Sequence, residues 1–74
     1  MRHDYLKFVQ WSEADQVHVG YCPDLFIGGI CHGPDETRVY AEACCLVKDE
    51  LAERRRNRQR LPKPRALVAM AVAA

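Results

Sequence analysis

Apolar and polar residues first alternate along this chain, then recur at a longer spacing, and finally run together without a period. From Tyr5 to Trp11 the residues are rich in aromatic and β-branched types. Tyr5, Lys7, Val9 and Trp11 fall on one side, and Leu6, Phe8 and Gln10 on the other. That period of two, with one largely apolar face, predicts a strand. Ser12 to Gln16 is polar and of hairpin length, and beyond it Val17, Val19 and Tyr21 alternate with His18, Gly20 and Cys22. A second strand, antiparallel to the first, is expected there. Pro23-Asp24 should stop it, since proline cannot donate to a ladder and Asp favours turns. Ile27 to His32 predicts a third strand, weakened by a bulge at Gly28-Gly29.

The period then lengthens. Tyr40, Ala43, Cys44, Val47 and Leu51 recur at 3-4-4 spacing, flanked by Val39 and Leu46, which predicts one buried stripe on a helix from about Asp35 to Asn57. Gly33-Pro34-Asp35-Glu36-Thr37 has the chemistry of a helix start, with Asp35 or Thr37 as cap. Glu50 and Arg54 stand four apart in the favourable order, and Leu61-Pro62-Lys63-Pro64 is expected to break the helix. Ala66 to Val72 is apolar without clear alternation, a period that fits a strand or a short helix alike, and a final strand around Leu67–Val72 is the expectation adopted. The expected fold is therefore α+β in two layers, β-β-β-α-β: a three-stranded antiparallel sheet, one long helix and a C-terminal strand.

Size and composition narrow the classes. The chain has 74 residues, hence a single domain at 1–74, and 49% hydrophobic types rule out intrinsic disorder. The apolar run Ala66–Ala74 is far short of the ~20 residues of a membrane span, and the polar N-terminus is not that of a signal peptide, so a cytoplasmic location is expected. So small a core, with that apolar run, favours a homo-oligomer.

Four cysteines invite a disulfide or zinc reading. Cys44 and Cys45 are adjacent on a helix and diverge, and Cys22, Cys31, His32, Cys44 and Cys45 contain no Cys-x-x-Cys spacing. Buried, reduced thiols are expected, with no metal and no cofactor.

Charge is unevenly spread. Residues 1–53 hold four basic and ten acidic side chains, net −6, whereas residues 54–74 hold seven basic and no acidic ones, net +7. Blocks of this kind serve as contact surfaces or compensate the helix dipole.

Tyr21-Cys22-Pro23-Asp24-Leu25 after a β-hairpin, the Gly33-to-Thr37 helix start and the Pro62-Lys63-Pro64 exit follow one another in an order that resembles the HicB-like antitoxin domain. The similarity runs over almost the whole chain, although Phe26-Ile27-Gly28-Gly29 stands where the family usually has Pro-Gly. It implies a partial ribonuclease-H-like fold and a non-enzymatic protein that neutralises a HicA-type messenger-RNA endonuclease. A short form without a C-terminal DNA-binding domain is expected. Acidic residues on the solvated helix face, Glu42, Asp49 and Glu53, would meet the basic toxin, because opposed potentials speed encounter.

Two rival readings accompany this one. Arg54, Arg55, Arg56, Arg58 and Arg60 could serve a small nucleic-acid-binding protein through phosphate contacts, though no aromatic residue interleaves with them for stacking. An orphan HicB-fold oligomeric binding module is the other. Catalysis is not expected: two-metal chemistry needs carboxylates converging on ions ~4 Å apart, and the first strand has no acid. His18, on a strand's polar face, has no nucleophile or acid placed beside it by the sequence.

Overall fold

The structure, a computed structural model, describes residues 5–64. Strands β1 (Phe8–Ser12) and β2 (Val17–Tyr21) form the hairpin, in register from Phe8 opposite Tyr21 to Ser12 opposite Val17. β1 starts three residues later than the alternation suggests. Phe8 already faces the last residue of β2, and beyond Tyr21 the chain turns away, so Tyr5 to Lys7 find no ladder partner. The connection closes with the Gln16 N–H donating to the Ser12 carbonyl at 2.7 Å. Gln16 is left-handed at φ 57°, and its side-chain amide is anchored by donating to the Glu13 carbonyl at 2.8 Å.

Pro23 and Asp24 make the expected turn, with the N–H groups of Leu25 and Phe26 both donating to the Cys22 carbonyl at 3.1 and 3.0 Å. Strand β3 (Cys31–Gly33) pairs antiparallel with β2, Gly20 facing Cys31 and His18 facing Gly33. It is shorter than Ile27–His32 because Gly28 takes φ +76°, which keeps that stretch out of a regular strand. The Ile30 N–H donates to the Gly20 carbonyl at 2.9 Å, one step out of register, the offset of a β-bulge. Among the described residues β2 is central and β1 and β3 are edges.

Helix α1 (Glu36–Arg56) follows at once. Asp35 caps it, its carboxylate accepting from the Thr37 N–H at 3.0 Å, and Glu36 adds negative charge to the first turn. The helix ends well before the prolines. Arg58 turns left-handed at φ 57°, and the Arg58 and Gln59 N–H groups donate back to the Arg55 and Arg54 carbonyls at 3.0 and 2.8 Å. That is a Schellman termination, completed without the usual glycine.

Packing joins α1 to one face of the sheet through two clusters. Tyr5, Cys22, Leu25 and Val47 form one, with Phe26 and Leu51 against it. Cys31, Val39 and Ala43 form the other, with Val9 and Leu46 against it, and Ile30 touches both. The buried stripe is Val39, Ala43 and Val47, and Tyr40 is 44% exposed rather than central. The helix settles where Ala43 can approach Gly20, and Tyr40, about 100° round from Val39, is carried to the flank over β1. All four cysteines are free thiols; Cys22 and Cys31 are buried and Cys44 is half-buried, but Cys45 is exposed on the outer face of α1. The Tyr5 hydroxyl donates to the Pro62 carbonyl, tying the exit segment to the start of the sheet. The expected Leu67–Val72 strand lies outside the described residues, and among those described no helix is long and apolar enough to cross a membrane.

Candidate interaction surfaces

Glu42, Asp49 and Glu53 are all exposed on α1. Spacings of seven and four residues bring side chains back to nearly the same angle on a helix, so the three line one flank, over about 16 Å of axis. Its Glu42 end lies beside β3. Glu42 borders a groove of about 270 Å³ that also has His32, Gly33 and Arg38 in its walls. Among the described residues, none of the three carboxylates is held in an ion pair, whereas Glu50, on the buried side, accepts from Arg54 Nε at 2.6 Å. The stripe is thus presented outward by a rigid element, with its charge free for a partner.

The basic cluster divides. Arg54 is half-buried; besides pairing with Glu50, its guanidinium donates to the Leu25 carbonyl at 3.3 Å. It fastens the end of the helix to the Pro23-Asp24 turn. Arg55, Arg56, Arg58 and Arg60 are exposed around the helix end, and Arg60 and Lys63 border a cleft of about 580 Å³ beside Pro23 and Asp24. The four exposed arginines supply charge at the negative pole of the helix dipole, but among the described residues that line the cleft there is no aromatic ring for stacking a base.

His18 is occupied by an aromatic contact. Its ring meets Trp11 edge to face, 5.0 Å between centroids, and the Trp11 indole donates to Glu13 at 2.7 Å. Burial pushes the Cys22 and Cys31 thiols up, keeping them protonated and weakly nucleophilic, and the Cys31 thiol donates to the Val39 carbonyl at 3.4 Å. The Tyr40 phenol is also pushed up, first by the neighbouring Cys44 and then by burial. Among the described residues, no three His, Cys, Asp or Glu side chains converge as metal ligands.

One surface escapes a reading of charge alone. Gly20 faces α1, so Val17, Val19 and Tyr21 face away from it, and none of the residues of the three strands is charged. The absence of charge from every strand was the available signal.

Comparison with known proteins finds no match: no family model, no curated protein and no solved structure is similar to this chain.

Proposed function

We propose that this protein is a non-enzymatic, HicB-like antitoxin that binds and blocks a small ribonuclease toxin of the HicA type in the cytoplasm. The observation that carries the reading is the outward row of Glu42, Asp49 and Glu53, three carboxylates on one helix flank, none of them in an ion pair among the described residues, with Arg38 the cation that shares the groove beside Glu42. A protein whose own substrate is RNA has a basic face, and such a row is complementary to it in sign and presented by a rigid element. The order of hairpin, Pro-Asp turn, capped helix and Pro-x-Pro exit supports the family resemblance on which the toxin's identity rests. The test is co-expression with the HicA-like protein of a neighbouring reading frame. Growth should be rescued, and reversing Glu42, Asp49 and Glu53 to Lys should slow association of the purified proteins by about tenfold or more without unfolding the domain. No rescue and no complex between purified proteins would end the reading.

The exposed Arg55, Arg56, Arg58 and Arg60 support a second reading, a small nucleic-acid-binding protein. It requires affinity for DNA or RNA whose logarithm falls linearly with the logarithm of salt, with a shallower slope when Arg55 and Arg56 become Ala. Binding that is absent at physiological salt rules it out.

A further inference from the structure

We propose, resting on the nucleic-acid reading and deepening it, that the cleft between the Pro23-Asp24 turn and the segment leaving α1 binds the sugar-phosphate backbone of RNA. Its cations take a phosphate and Asp24 takes the neighbouring 2′-hydroxyl. Three cations border the cleft, Arg54, Arg60 and Lys63, against one acid, Asp24. They are brought together from three places in the chain: the turn after β2, the last turn of α1 and the exit segment. The volume of about 580 Å³ lies within the ~300–1,000 Å³ usual for small-molecule sites.

Both walls are held by the fold. Arg54 is fastened to Glu50 at 2.6 Å and to the Leu25 carbonyl at 3.3 Å, which engages two of the five N–H groups of its guanidinium and leaves three. The turn is closed by the Leu25 and Phe26 N–H groups on the Cys22 carbonyl. The exit segment is tied down where the Tyr5 hydroxyl donates to the Pro62 carbonyl. Arg60 and Lys63 are exposed on that segment and enter no hydrogen bond or ion pair with a described residue. Groups held in this way lose less order when a ligand binds.

The mixture of charges selects the ligand. A bare phosphate gains from the three cations but loses against Asp24, so the acid has to serve a hydrogen-bond donor on the same ligand. An ammonium donor would be repelled by the cations, whereas a neutral hydroxyl is not. A phosphate ester with a hydroxyl on the adjacent carbon meets both demands, and RNA repeats that pair at every nucleotide. A carboxylate accepts up to about four hydrogen bonds, so Asp24 can take the hydroxyl alongside its contact within the chain. Pro23, Leu61 and Pro62 offer apolar surface to the sugar carbons, and with no ring among the lining residues the bases go unread. DNA brings the phosphate without the hydroxyl, so RNA is preferred whatever its sequence.

The full chain is titrated with single-stranded RNA and DNA of one sequence, about ten nucleotides long, at about 150 mM salt, by fluorescence anisotropy and heteronuclear NMR. RNA should bind about three- to tenfold more tightly than DNA, the share of one partly solvated hydrogen bond, and should move the Arg54 Nε–H and the Asp24 and Lys63 amide signals. Asp24→Ala should bring the ratio to about one, and Asp24→Asn, which keeps an acceptor and a turn-forming residue, should preserve most of it. Arg60→Ala and Lys63→Ala together, both at exposed sites, should weaken RNA binding by about tenfold and flatten its salt dependence. Circular dichroism verifies that each variant folds. Equal affinity for RNA and DNA, unmoved by Asp24→Ala, overturns the proposal and leaves the nucleic-acid reading standing. RNA binding that moves only the Arg55 and Arg56 signals does the same. A response to adenosine 3′-monophosphate but not to RNA assigns the cleft to a free nucleotide and also overturns the proposal. Binding of neither polymer ends both.

Discussion

Gly20 and Ala43 meet where helix and sheet come closest: a Cβ placed on Gly20 would lie 3.2 Å from the Ala43 Cβ and 2.8 Å from the Cys31 sulfur. The contact sets the rotation of α1 over the sheet and decides which side of β2 is inside. Packing at this point leaves no space for even one methyl group.

Gly20→Ala should therefore destabilise the domain by about 1–3 kcal/mol, the usual cost of forcing a methyl group into a packed interface. Urea unfolding followed by circular dichroism measures it. A Gly20→Ala protein as stable as the parent would show that helix and sheet are not so closely apposed.

Arg58 adopts a left-handed conformation at φ 57° to complete the helix C-terminus, where glycine is the usual residue. An L-residue there costs about 1–2 kcal/mol, partly balanced by the extra freedom glycine has when unfolded. Arg58→Gly should raise stability by about 0.5–1 kcal/mol, read as a higher urea midpoint at unchanged slope.

Arg54 and Arg55 are neighbours with different work. Arg54→Ala removes the pair to Glu50 and the bond to the Leu25 carbonyl, and should cost about 1 kcal/mol. Arg55→Ala, at an exposed site, should stay within about 0.5 kcal/mol of the parent. A double-mutant cycle between Glu50 and Arg54 should return a coupling of about 0.5 kcal/mol, because the pair is partly solvated and screened.

Burial raises the pKa of the Cys22 and Cys31 thiols in the folded state. The unfolded chain then loses these protons first as pH rises, so their contribution to stability is fully present below the ordinary thiol pKa of about 8.5 and is lost through alkaline pH. Urea midpoints should be level from pH 7 to 8 and decline above about pH 9. In the native protein at neutral pH, a thiol reagent should modify exposed Cys45 first and Cys22 and Cys31 only on unfolding. Equal rates at all four sites would contradict the packing.

Local chemistry made most of the secondary structure readable from the residues alone. Alternation marked the hairpin, Pro23-Asp24 its end, Asp35 the cap and Glu50-Arg54 the pair, because each depends on neighbours within a few positions in sequence. The acidic row was also readable, since helical spacing alone aligns Glu42, Asp49 and Glu53. The helix end near Asn57 was legible too, although the left-handed Arg58 that completes it carries no sequence signature.

The sequence by itself determined the periods of the elements, and with them the order of hairpin, third strand and helix. What it left open was the sign of each period: a strand that alternates Val17, Val19 and Tyr21 with His18, Gly20 and Cys22 has two faces, and hydrophobicity favours burying the first. Only the tertiary structure chose the second, because the small residues Gly20, Cys22 and Cys31 let α1 come close through Val39, Ala43 and Val47. The same choice turned Tyr40 outward, drew Arg54 out of the basic cluster toward Leu25, and left the larger apolar side chains of β2 on the open face. Volume matched across elements far apart in sequence decides such faces, and periodicity within a single element cannot express it.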